Sequence, residues 1–311
     1  MDLGVQIEPQ LGFSYESVRD IARAAHGAGF TRLWISDHLL LHKDAVDVDC
    51  LEAWTLLAAL ARETEGIRIG PMVTCQSYRN PALLAKIAAG VDQMSGGRLE
   101  FGIGAGWKEL EYEQYGYDFP DAGVRVTQMV ETIEICTRLW REDRATYRGR
   151  YYRIEDAVCA PKPTQSPLPI WIGGSKPRVM RIAARHAAWF NMTILAGTLE
   201  DRLALMRDGL AEACAAVGRD PSTLRRSLFV QAFVAPTRGG VDDLVRELAG
   251  RANTTPERWR AARPGAIVGT PDEAAERFRV IAKAGVDHAN VMFPFGRELD
   301  GVKALSEVAR S

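Results

Sequence analysis

An aspartate and a histidine stand side by side at Asp37-His38, directly after the apolar run from Arg32 to Ser36. A carboxylate and an imidazole held together can exchange protons near neutral pH. The pair fits a helix cap beside a surface histidine equally well, so the two residues alone leave both readings open. Two glycine-rich stretches carry different chemistry. Gly102-Ile103-Gly104-Ala105-Gly106 bares backbone to which a flat ligand can come close, although barrel-corner packing asks for the same glycines. It is no dinucleotide fingerprint, because Trp107 stands where the third glycine of G-x-G-x-x-G belongs. Gly173-Gly174-Ser175 opens a predicted helix with Lys176 and Arg178 close by, which suits an anion such as phosphate, and a tight strand-to-helix turn is the plainer reading. His42 is the only other histidine at metal-ligand spacing from His38, and an H-x-H pattern is absent, so no metal is expected.

The elements that position these residues alternate regularly. Apolar strand runs at 3–7, 32–36, 67–74, 99–103, 169–172, 188–193, 228–234 and 286–293 are each followed by a helical pattern. Helix signals punctuate the rhythm. Ser14 and Asn80-Pro81 read as starts, Gly29 and Gly96 as stops, and Thr270-Pro271-Asp272-Glu273 as a capping box. Eight strand–helix units predict an α/β fold, a (β/α)₈ barrel, with a doubly wound open sheet as the alternative. Residues 1–311 then form a single barrel domain. An insertion at about 141–168 follows the fourth helix, with a two-strand excursion around Gly149, and an irregular, lid-like segment with short helical stretches occupies about 237–266. Barrel enzymes build their sites at the carboxyl ends of the strands. That rule adds Glu8, Thr74, Trp107, Asn191, Gln231 and Phe293 to the candidates, with Glu8, Trp107, Gln231 and Phe293 read as the substrate pocket.

Composition narrows the partners. Lys and Arg total 39 against 40 Asp and Glu, so no basic excess recommends nucleic acid or an acidic membrane. A hydrophobic content of 47% is enough for a folded core, and no apolar run approaches the ~18 residues of a membrane span. The first residues, MDLGVQIEPQ, carry no secretory pattern, and five cysteines without a C-x-x-C read as isolated thiols of a reducing cytoplasm.

Four stretches carry a resemblance: GFTRLWISDH (29–38), the run from LEAWTLLAAL to FGIGAGW (51–107), GRYYRIEDAVCAPKPTQSPLPIWIGG (149–174) and VGTPDEAAERFRVIAKAGVDH (268–288). In these the chain resembles the luciferase-like monooxygenase superfamily, in its branch of F420-dependent oxidoreductases. The resemblance implies a barrel that binds coenzyme F420, or alternatively FMN, without a covalent link. It implies phosphate binding near Gly173, Gly174 and Ser175, and a non-proline cis peptide near Met72-Val73 behind the ring. Met72, Val73, Thr74, Gly104, Gly106 and Asn191 would line the cofactor. Asp37 would orient His38 or bond the ring edge, and His38 would move the proton that accompanies hydride transfer to or from a small organic substrate. Sugar-phosphate dehydrogenases of the family place a glutamate near position 107. This chain has Trp107 there, which argues against a sugar phosphate and leaves Glu109 as the acidic candidate. Many relatives are dimers, which points to a homodimer using Trp54, Leu56 and Leu57. A reduced-FMN monooxygenase and a cofactor-binding barrel without turnover are the alternative functions.

Overall fold

A computed structural model describes residues 1–195 and 197–310. Its strands in chain order are β1 (Asp2–Ile7), β2 (Arg32–Ile35), β3 (Arg68–Pro71), β4 (Thr74–Cys75), β5 (Phe101–Gly104), β6 (Ala145–Arg148), β7 (Arg153–Ala157), β8 (Ile170–Gly173), β9 (Trp189–Thr193), β10 (Arg225–Val234), β11 (Ile267–Gly269) and β12 (His288–Met292). The helices that frame them are α1 (Tyr15–Ala28), α2 (Ala53–Glu63), α3 (Pro81–Ser95), α4 (Glu109–Tyr115), α5 (Ala122–Arg141), α6 (Pro177–His186), α7 (Leu199–Val217), α8 (Arg238–Arg251), α9 (Pro256–Ala261), α10 (Pro271–Lys283), α11 (Glu298–Ala304) and α12 (Ser306–Arg310).

The sheet runs β3-β2-β1-β12-β10-β9-β8-β5-β4, and each of these pairs is parallel. It closes where Ile69 donates its N–H to Arg98 O at 3.0 Å and accepts from Glu100 N at 2.9 Å. β3 and β4 are two pieces of one barrel position, interrupted at a cis Met72-Val73 peptide, where the resemblance placed it. The architecture is thus the predicted barrel. Ser14, Asn80 and the Thr270–Glu273 capping box start α1, α3 and α10, as their spacing predicts.

Alternation along the strands turns every second residue into the barrel. At the amino-terminal floor this gathers Arg32, Trp34, Glu100, Trp171, Trp189 and His288, all buried. Trp171 stacks on Trp189 with centroids 4.1 Å apart. Glu100 accepts from Arg32 Nε at 3.1 Å and from Trp171 Nε1 at 2.6 Å. Trp34 Nε1 donates to His288 Nε2 at 3.0 Å, and burial, reinforced by Arg32 and Arg225, holds the pKa of His288 well below its ordinary value. The floor is therefore sealed, and the open end lies at the strands' carboxyl ends.

The segment at 237–266 packs its helical stretches into a small unit with its own core. α8 and α9 bury Val241, Val245, Ala249 and Trp259 against Phe233, while β11 extends the sheet beside β10. Val241, Val245 and Ala249 lie four apart, the helical period that underlies this packing. Trp54, Leu56 and Leu57 are core residues, at 3%, 3% and 0% exposure, so an interface cannot use them. Phe293 points outward from β12 onto α11, where a side chain at Gly301 would overlap its ring. Its neighbour Met292 is the residue that faces inward, in register with Gln6 and Gln231.

The insertion forms the antiparallel hairpin β6–β7. Its tip is held by the buried Glu131 carboxylate of α5, which accepts from the N–H groups of Arg150, Tyr151 and Tyr152 at 2.7, 2.9 and 2.9 Å. All five cysteines are free, and no helix among the described residues is long and apolar enough to cross a membrane.

Glu100→Ala leaves the guanidinium of Arg32 buried on the floor without this partner. Chemical denaturation should show a loss of about 3–5 kcal/mol.

Candidate active site

The open end of the barrel separates the two members of the Asp37-His38 pair. Adjacent residues of an extended segment point to opposite sides, and here they serve different networks. Asp37 is buried and accepts from Thr74 Oγ1 at 2.7 Å, Cys75 N at 3.0 Å and both Nη atoms of Arg79 at 2.7 and 2.9 Å. Arg79 also pairs with Glu52 at the start of α2. Burial opposes the Arg79 charge, but the Asp37 and Glu52 carboxylates outweigh it and raise its pKa. With all these donors around it, Asp37 fastens the segment after β2 to β4 and makes no hydrogen bond to His38. Thr74 is tied into the same network, donating to Asp37 and accepting from Trp54 Nε1 at 3.0 Å.

His38 turns the other way. Its Nδ1 lies 3.1 Å from both carboxylate oxygens of Glu111, which is fully buried. Glu111 also accepts from Leu39 N at 2.8 Å, Leu40 N at 3.3 Å and the Tyr78 hydroxyl at 2.6 Å, with Lys108 Nζ at 3.3 Å. Burial alone would raise the pKa of Glu111, but the bonds from His38, Tyr78 and Leu39 and the charge of His38 lower it to about 2. Burial and the Glu111 charge together push the Tyr78 phenol up, so it stays a donor. An ionised carboxylate only accepts. His38 must therefore carry hydrogen on Nδ1, and Nε2 has no partner among the described residues. Trp107 stands edge-on to the imidazole, centroids 5.6 Å apart, and is 72% exposed.

Glu109, the acidic candidate from the sequence, is exposed at the first position of α4. Two helical residues are about 200° apart around the axis, so Glu109 faces solvent and Glu111 faces His38. A helical wheel begun at Glu109 would have found it. Tyr78 and Arg79, just before the Asn80 cap, carried no pattern that tied them to the pair.

The glycines make room for protein. A side chain at Gly104 would come within 2.5 Å of Val73 Cγ2, and one at Gly173 within 3.3 Å of Val73 Cγ1. At Gly106, with φ +79°, it would overlap the Tyr112 hydroxyl. The glycine-rich stretch thus admits Val73 and Tyr112, while the Met72-Val73 segment forms the wall. Gly174 N donates to Asn191 O at 3.1 Å. Ser175 is half-buried ahead of α6, whose N-cap Lys176 makes no side-chain cap bond, and Arg178 is engaged by Gly123 O and Thr127 Oγ1 of α5. Deeper in the mouth, Asn191 accepts from Ser227 Oγ at 3.0 Å. Gln6 donates to Glu8 at 2.8 Å, Gln10 donates to Glu8 at 2.6 Å, and Gln231 lies in the layer of Gln6 and Met292.

The model of the family of luciferase-like monooxygenases matches residues 2–288. This chain belongs to that family. Among its family relatives, the F420-dependent glucose-6-phosphate dehydrogenase of Microbacterium testaceum is 31% identical over 300 residues, covering 89% of this chain and 87% of that one. The 5,10-methylenetetrahydromethanopterin reductase of Archaeoglobus fulgidus is 27% identical over 95% of this chain and 94% of its own. An F420-dependent secondary alcohol dehydrogenase, solved with an F420-acetone adduct, shares the fold at a TM-score of 0.84 and 20% identity, over 100% of this chain and 99% of the other.

The lowered pKa of Glu111 has a sign that can be tested. Between about pH 2 and the ordinary glutamate range the unfolded chain binds more protons, so this contribution to stability is present above that range and is lost as pH falls toward 2. The stability difference between wild type and Glu111→Gln should therefore shrink steadily on acidification, as read from denaturant unfolding at a series of pH values.

Proposed function

We propose that the chain transfers a hydride between coenzyme F420 and a small organic substrate, with His38 giving or taking the accompanying proton at Nε2. The observation that carries this reading is the His38–Glu111 pair. A buried, ionised carboxylate holds Nδ1 protonated and leaves the second nitrogen at the barrel mouth, the arrangement a general acid or base needs. The F420-dependent relatives support the cofactor.

The residues present fit such a group. The amides of Gln6, Asn191 and Gln231 line the mouth, and amides both donate and accept, as the polar edge of a fused pyrimidine ring requires. Asn290 Nδ2 donates to Gln6 at 2.7 Å while its buried Oδ1 has no partner, so the cluster has unused acceptor capacity. The Met72-Val73 segment would back the ring. Ser175 and the first N–H groups of α6 would take a phosphate, since a helix start favours an anion. F420, when bound, supplies the hydride donor or acceptor.

The protein's own part is positioning and proton handling. Asp37 and Arg79 hold the mouth together without touching the reacting atoms. Glu111 fixes the imidazole, and Trp107 borders it. The chain works, on this reading, as a cytoplasmic homodimer. Leu83 and Met94, 55% and 38% exposed and eleven residues apart on one side of α3, offer an apolar contact in place of the buried trio.

Titration should give a Kd for F420 at least tenfold below that for FMN, and the reverse order would favour the monooxygenase alternative. In the F420-loaded enzyme His38→Ala should lower kcat by about 10²–10⁴ while the F420 Kd moves less than threefold. Unchanged kcat would remove His38 from proton transfer.

A further inference from the structure

We infer that the site takes an uncharged, largely apolar carbonyl compound, or the matching alcohol, and discriminates against phosphorylated and carboxylated substrates. The inference rests on the hydride-transfer reading above and deepens it. Large apolar side chains gather at the opening although water is their alternative contact. Trp107 is 72% exposed beside His38. Phe295, 42% exposed, packs edge-to-face on Phe13 at 4.8 Å, and a side chain at Gly12 would touch both Phe295 and Val48. Val46 on the 39–50 loop and Leu195 after β9 are 85% and 55% exposed. Apolar groups exposed together around one opening mark a surface that buries apolar area when it binds.

The charges around His38 point the same way. Arg79 is bound by Asp37 and Glu52. Lys108 pairs with Glu111 and donates to the carbonyls of Leu40 and Leu41. Arg297, in the turn that follows Phe295, pairs with Glu247 and Asp300. Each of these cations is matched, while Glu111, Asp37, Glu52 and Glu8 bring four carboxylates to the same end of the barrel. The 39–50 loop adds one exposed cation, Lys43, against the carboxylates of Asp44, Asp47 and Asp49, so an anionic substrate would meet an excess of negative charge and would pay desolvation with little compensation. His38 Nε2 supplies one hydrogen bond, enough for one oxygen. This contrasts with the phosphate ester in the name of the Microbacterium relative.

In the reducing direction bound reduced F420 would supply a hydride to the carbonyl carbon, and the carbonyl oxygen would take the Nε2 proton of the His38 imidazolium, which is left neutral with hydrogen on Nδ1 facing Glu111. C=O becomes CH–OH, and the cofactor is left oxidised by two electrons. The reverse direction oxidises the alcohol, with His38 taking the proton.

The test uses the F420-loaded enzyme and the 2-ketones from acetone to 2-octanone, with 2-oxooctanoate and glucose 6-phosphate as anionic counterparts. KM should fall about threefold per added methylene, close to the full transfer value of a CH₂ group. Calorimetric binding of 2-octanone should show a negative heat-capacity change. Trp107→Ala should raise the KM for 2-octanone about tenfold, and Trp107→Phe should restore most of it. A flat series, or tighter binding of either anion than of 2-octanone, overturns the substrate class even where F420 binds tightly. Failure to bind F420 is read separately in the cofactor titration; it overturns the hydride-transfer reading and this inference with it.

Discussion

The site depends on one buried charge. Glu111 sits at the inner face of a short helix with no exposed surface, and a carboxylate there is tolerable only because donors surround it. Those donors come from different parts of the chain. His38, Leu39 and Leu40 belong to the segment after β2, Tyr78 to the segment between β4 and α3, and Lys108 to the segment after β5. Satisfying the carboxylate therefore ties three strand mouths into one structure. Lys108 extends the tie by capping the carbonyls of Leu40 and Leu41, which fixes the root of the 39–50 loop. The orientation of His38 follows from that constraint.

Asp37 provides the complementary tie, on the opposite side of the segment from His38. Its bonds to Thr74, Cys75 and Arg79, and the onward pair to Glu52, lock the third barrel position and the start of α2 to the segment after β2. Val73 fills the space that Gly104 and Gly173 leave open, so the wall at Met72-Val73 is held by packing as well. One aspartate supports the scaffold and one glutamate orients the histidine. A chemical site on a rigid barrel needs both, because catalytic geometry tolerates little displacement.

The barrel was legible because strand and helix periods repeat through the chain and local caps agree with them. The histidine was legible because it follows an apolar strand at the end where barrels build sites. Its true partner was not, because the choice between Glu109 and Glu111 depends on where α4 begins and which face it turns inward. Side-chain direction explains the other differences too. Phe293 and Met292 are neighbours, yet only Met292 faces the mouth. Gly104 and Gly106 looked like room for a ligand, but spacing cannot say that Val73 and Tyr112 take that room. The short apolar run Trp54-Leu57 reads the same whether it packs inside a protomer or between two.

The claim at the centre of this account is that Glu111 decides which nitrogen of His38 faces the substrate. The most direct measurement is ¹⁵N NMR of histidine-labelled protein, with His38 assigned by its loss in His38→Ala. At a pH where the ring is neutral, the account predicts hydrogen on Nδ1 and a bare Nε2, and loss of that preference in Glu111→Gln. Hydrogen on Nε2 in the wild type, or an identical spectrum in Glu111→Gln, would contradict it.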